Sequence, residues 1–121
     1  MSSRSLAVRA NAPVAPKTAG IVIGVAVALL WLIELVDQLT RGSLDALGIH
    51  AWQVSSLPAV FIAPWLHVDW AHLGANTLPF AVLGFLVMIG GALRAALSTL
   101  WSVVTSGLFA WLLSPPNTVT I

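Results

Sequence analysis

Two polar side chains stand where an apolar helix begins. His72 and Asn76 are four residues apart at the head of a run that continues from Leu78 to Ile89. On a helix that spacing is about 40° of rotation, so both point the same way, one turn apart. Polar groups cost about a few kcal/mol near the centre of a bilayer, so their presence there asks for a reason. Both side chains carry N–H donors, which suits them to bond within a helix bundle or to face negative charge. The plain alternative is an interfacial histidine and a stray polar pair inside the bundle. His67 precedes His72 by five residues, about 140° around a continuous helix, and belongs in the loop just before it. A metal site built from His67, Asp69 and His72 is the weaker reading. Two histidines so far apart in angle do not share an ion on one straight helix, and no other strong ligand is near in sequence. Neither a metal nor a cofactor is expected.

The residues around this pair carry a resemblance. Ala63-Pro64-Trp65-Leu66-His67, the run His72 to Pro79, and Leu83-Gly84 resemble the second transmembrane helix of the rhomboid intramembrane serine proteases, in their bacterial branch. That helix opens with His, four residues, His, three residues, Asn, a spacing matched by His67, His72 and Asn76. The resemblance implies that His72 and Asn76 stabilise the oxyanion together with backbone N–H, and that His67 is a polar neighbour at the mouth of the site. It also implies that transmembrane-helix proteins are the substrates. The family's nucleophilic serine lies in Gly-x-Ser-Gly at the start of its fourth helix, and its base is a histidine on the sixth. This sequence has neither. Ser106-Gly107 follows Val104-Thr105, and Ser106 falls about 10 Å short of the far end of its span. The resemblance covers about 19–121, the first half of the family core. Two readings follow. One is a rhomboid protease represented by its N-terminal part and inactive alone; the other is a non-catalytic rhomboid-like protein that binds transmembrane helices.

The elements that must position these residues are legible in the composition. The chain is 59% hydrophobic and 7% charged, with mean hydropathy +0.97. Soluble domains carry about 25% charged residues, so a soluble globule is excluded. The net charge of +1 gives no footprint for nucleic acid, and no cysteine is present. The expected fold is all-α and polytopic, a partial rhomboid fold of three spans near 19–39, 70–91 and 95–113. Residues 1–18 read as a flexible basic tail. The run Gly20 to Ile33 has the length of a signal peptide's apolar region. No Ala-x-Ala site follows it, so an uncleaved first span is expected.

Residues 40–66 are too apolar for a free loop yet are broken by Gly42, Gly48, Pro58 and Pro64. They read as an interfacial segment with short helical turns, and Trp52, Trp65 and Trp70 fit an aromatic belt. Glu34 and Asp37 fall near the far end of the first span, where carboxylates reach the interface or pair with another helix, and interfacial placement is the plainer reading. Pro79 is a possible kink, Gly90, Gly91 and Arg94 a turn, and Thr118 to Ile121 a stub without a role. Stripes of small residues, Gly20, Gly24 and Ala28 on one span and Ser98, Ser102, Ser106, Ala110 and Ser114 on another, suggest close helix packing. Arg4, Arg9, Lys17 and Arg94 place the N-terminus in the cytoplasm by the positive-inside rule, with only Arg41 on the other side. The expected location is a bacterial inner membrane. The sequence leaves the oligomeric state open.

Overall fold

The computed structural model describes residues 12–121. Most of the expected tail lies outside the described residues. Three helices dominate: α1 (Pro16–Leu39), α2 (Trp70–Ile89) and α3 (Ala92–Leu113). All three are long and apolar enough to cross a membrane. The first begins three residues earlier than expected, because Pro16 occupies its first turn, where a missing N–H costs nothing.

α1 and α2 pack along a stripe of α1 at alternating three- and four-residue steps. Ala19, Leu30, Glu34 and Asp37 on it are buried, and Ile23 meets Gly84 across the interface. This stripe is one residue out of step with Gly20, Gly24 and Ala28. Gly20 and Gly24 instead open a groove of about 520 Å³ against Thr77, Ala81 and Phe85 of α2. Glu34 and Asp37 continue the packed stripe, and each is only 2% exposed. Both stand near the end of α1, where the sequence puts them, and turn inward along its packed face rather than outward.

α2 runs through Pro79 without ending. Gly90 and Gly91 alone make the turn into α3, with Gly91 at φ 134°, a conformation that side chains other than glycine's rarely adopt. Arg94 is not part of that turn but lies in the first turn of α3.

The segment between α1 and α2 consists of 3₁₀ turns, Asp45–Leu47, Val54–Phe61 and Ala63–Trp65, with a two-residue strand β1 (Ile49–His50). The strand pairs antiparallel with β2 (Val119–Thr120), Ile49 opposite Thr120 and His50 opposite Val119. The supposed stub thus closes back on the loop. Val60, Ala59, Ala63 and Ile49 form a small core against Val103, Ala110 and Trp111 of α3. Gly107 makes this contact possible: a Cβ there would stand 2.5 Å from Val60 Cγ1. Two indoles pin the same junction, Trp52 Nε1 donating to Ser114 O at 3.1 Å and Trp111 Nε1 to Gln53 O at 3.0 Å.

Of the small-residue row on α3, Ala110 and Ser114 take part in this junction and the first three serines do not. Ser98, Ser102 and Ser106 are exposed. Ser98 Oγ donates to Arg94 O at 2.8 Å and Ser106 Oγ to Val103 O at 3.3 Å, both within their own helix.

Candidate functional site

α2 starts at Trp70 because Asp69 caps it. Asp69 is extended (φ −163°, ψ 175°), and its carboxylate accepts the His72 N–H at 2.8 Å. Its carbonyl accepts the Leu73 N–H at 3.1 Å. Such a cap satisfies an orphan donor of the first turn and is worth about 1 kcal/mol. It also fixes where the first turn begins, and so the direction of His72 and, one turn on, of Asn76.

The rotation of α2 is set from the other side by α1. Trp31 Nε1 donates to Thr77 Oγ1 at 3.1 Å, and that hydroxyl donates to Leu73 O at 2.8 Å. The Trp31 and Trp70 rings stack with centroids 5.6 Å apart. Trp70, Leu73 and Thr77 therefore form the face toward α1. His72 and Asn76 lie about 100–140° around the helix from Thr77.

Both His72 and Asn76 are consequently exposed. Neither the imidazole nor the amide has a hydrogen-bond partner among the described residues. Within these three helices the pair does not face a bundle interior. α1 takes one face of α2, and the pair is on another.

His67 lies off the helix, after the last 3₁₀ turn, as its spacing implied. It is 7% exposed. Its ring meets that of His72 edge-on, with centroids 5.3 Å apart and planes at 62°. Its Nδ1 is buried without a partner. Burial pushes the His67 pKa down and the neighbouring His72 pushes it further, against smaller opposing effects from Glu34 and the nearby Trp65 backbone. A neutral His67 can lie against a second imidazole without charge repulsion.

Among the described residues no three of His, Asp and Glu stand together in a way that could hold a metal ion. The Asp69 carboxylate is engaged as a cap, and Ser106 bonds to its own helix, apart from this group. Sequence reasoning missed the Asp69 cap, although an Asp just before an apolar helical run is a start signal. It also missed the Trp31–Thr77 bond, which joins residues 46 apart and leaves no local pattern.

The family model for the rhomboid domain matches residues 50–121, the segment that holds this site. The chain belongs to the rhomboid family. With its three spanning helices it is an integral membrane protein of that family. An uncharacterised protein of Mycobacterium leprae is 44% identical over 94 residues, covering 78% of this chain and 38% of that protein. An uncharacterised protein of Mycobacterium tuberculosis strain H37Rv is 45% identical over 87 residues, covering 72% of this chain and 36% of its own length. One of Mycobacterium bovis matches to the same extent. The chain thus spans little more than a third of the length of the curated relatives it matches. No solved structure matches it.

Proposed function

We propose that this chain supplies the oxyanion-stabilising part of a rhomboid-type intramembrane serine protease acting on transmembrane-helix proteins. In this reading the His72 imidazole and the Asn76 amide donate to the negative charge that forms on the substrate carbonyl oxygen, and His67 holds the His72 ring from behind. The observation that carries it is the pair of unengaged donors on one exposed face of the first two turns of α2. Donors already bonded within the protein would have little left for an oxyanion. The nucleophile and base come from outside these 121 residues, since no Gly-x-Ser-Gly occurs in them. The 121 residues alone are inactive. The N-terminus is cytoplasmic, the site lies at the outer face of a bacterial inner membrane, and the substrate enters from the bilayer. Support for the orientation is the placement of Lys17 and Arg94 at the end of the bundle away from His67.

The test joins this chain to the sequence that follows the matched segment in the Mycobacterium leprae relative. The chimera is incubated in liposomes with a model transmembrane substrate and a fluorophosphonate probe. Cleavage that falls about 10²–10³-fold on Asn76→Ala, with serine labelling retained, is the expected result. Cleavage by the 121-residue chain alone would overturn the division of labour. Unchanged cleavage after Asn76→Ala removes Asn76 from the mechanism. A chimera that binds transmembrane helices without cleaving or labelling favours the non-catalytic reading. Accessibility labelling at Ser43 checks the orientation; a cytoplasmic result reverses it.

A further inference from the structure

Charge is divided between the two ends of the helices. All four acidic residues, Glu34, Asp37, Asp45 and Asp69, belong to the end of α1, the segment after it or the residue that caps α2. Lys17 opens α1 at the opposite end, and Arg94 lies in the first turn of α3 there. Both are exposed, and no carboxylate of the described residues is at that end to neutralise them. The packing of α1 on α2 brings the two cations to one level. Ile23 meets Gly84 and Trp31 bonds Thr77, so the two helices run antiparallel in a register that sets Lys17 level with Gly90. The Arg94 guanidinium folds back over Gly90, with Nη1 3.6 Å from where a Cβ on that glycine would stand. Along α1, Lys17 shares its face with Gly20 and Gly24, three and seven residues on.

That face is one wall of the groove between α1 and α2. The groove, about 520 Å³, runs past Gly20 and Gly24 on one side and Ala81, Phe85 and Leu86 on the other. The one polar side chain lining it is Thr77, whose hydroxyl is engaged with Trp31 and Leu73. Water finds no partner there, and apolar hollows stay dry. Within a bilayer the apolar molecule at hand is an acyl chain. An acyl chain alone leaves the cations at the mouth of the groove unexplained, whereas an anionic phospholipid matches both parts, as basic sites between transmembrane helices do for lipid headgroups. We propose that this groove binds one anionic phospholipid, its phosphate between Lys17 and Arg94 and one acyl chain laid along Gly20 and Gly24. The leaflet is the one at the start of α1, cytoplasmic in the orientation proposed above. A second copy of the chain, inserted the same way round, has no acidic residue among those described to meet the cations at that level. The site is independent of the proposed chemistry at His72 and Asn76.

The test is native mass spectrometry of the 121-residue chain released from nanodiscs of phosphatidylglycerol and phosphatidylcholine, mixed equally and with the same acyl chains. The expected result is one retained lipid per chain, with phosphatidylglycerol favoured about 25-fold, since each basic residue at an anionic headgroup contributes about fivefold. Lys17→Gln and Arg94→Gln should each cut the preference about fivefold, and the double variant should bring it near parity. Arg41→Gln, at the acidic end, should leave it unchanged. Gly24→Leu should fill the groove and lower retention of phosphatidylglycerol; a Cβ there meets nothing within 4 Å, so the helix pair accepts it. Gly20→Leu, nearer the mouth, should act the same way. Parity of the two lipids on the wild type overturns the headgroup contact and needs no variant. So does a preference that survives the double variant or falls equally with Arg41→Gln. Retention untouched by both leucine variants takes the acyl chain out of the groove. A lipid-free dimer that either leucine variant breaks puts a second helix there instead and overturns the proposal.

Discussion

Gly107→Ala tests whether the loop is held on α3 by close approach. The added Cβ would stand 2.5 Å from Val60 Cγ1, 2.8 Å from Cγ2 and 3.0 Å from Cβ. Val60 is 3% exposed, β-branched, and set in a 3₁₀ helix, so it has no flexible end to swing away. Overpacking of this kind costs about 1–3 kcal/mol. Replacing a mid-helix glycine by alanine returns up to about 1 kcal/mol of helix propensity. The net expectation is a loss of about 0–2 kcal/mol. Gly24→Ala is the control, because a Cβ there meets nothing within 4 Å and only the propensity gain remains. The two variants should therefore differ by about 1–3 kcal/mol, the steric contribution alone. The assay is reversible unfolding in mixed micelles, with hydrogen exchange of residues 54–61 as the local readout. Val60→Ala in the Gly107→Ala background should recover part of the loss, because two of the three clashing atoms are gone, and the double-mutant cycle measures that coupling. Gly107→Ala equal in stability to Gly24→Ala, with no coupling to Val60, would refute the packing argument.

Two further predictions concern the entry to α2 and the pH response. Asp69→Ala should destabilise the chain by about 1 kcal/mol and speed exchange of the His72 amide, while Asp69→Asn or Asp69→Ser should restore most of it; a loss confined to distant amides would count against a cap. His67 has its pKa lowered from 6.5, so its contribution to stability is complete above that value and is lost as pH falls through the folded value. Unfolding should therefore become easier on acidification below about 6.5, and His67→Gln should flatten that part of the profile; a profile unchanged by His67→Gln removes the histidine as its source. Asp45 acts in the opposite sense, its contribution being present below 3.8 and lost as pH rises through its raised value.

The three spans were legible because a long apolar run is a strong signal, and spacing placed His67 in the loop and His72 and Asn76 one turn apart on α2. Charge sets Glu34 and Asp37 near the end of the first span, but that they turn inward follows from the helix face they share with Ala19 and Leu30, whose packing decides their burial. The small-residue stripes misled in part. A small residue permits close approach but does not cause it, so Gly20 and Gly24 border an open groove while Gly107, outside the serine row, makes the tight contact. The β1–β2 pair had no signal at all. Two-residue strands have no period, and the pairing joins Ile49–His50 to Val119–Thr120, far apart in sequence.

Asn76 shows how stability and proposed function oppose each other at this site. An amide without a partner in hydrocarbon costs about 2–7 kcal/mol, depending on how dry its surroundings are. The Asp69 cap and the Trp31–Thr77 bond are each worth about 1 kcal/mol, so together they do not offset a fully desolvated amide. Water reaching the loop end of α2, or a polar neighbour covering that face, must reduce the cost. Neither is needed by a leucine. Asn76→Leu should thus stabilise the 121-residue chain in liposomes, by an amount that grows as the bilayer is made thicker and buries the position more deeply. In the chimera the same substitution should remove most of the cleavage, because a side chain with no N–H cannot meet the oxyanion. The pair of measurements separates a retained functional donor from a structural one. If Asn76→Leu destabilises the chain alone, the amide has a structural partner in the membrane, and its exposed position on α2 is not the reason for its presence.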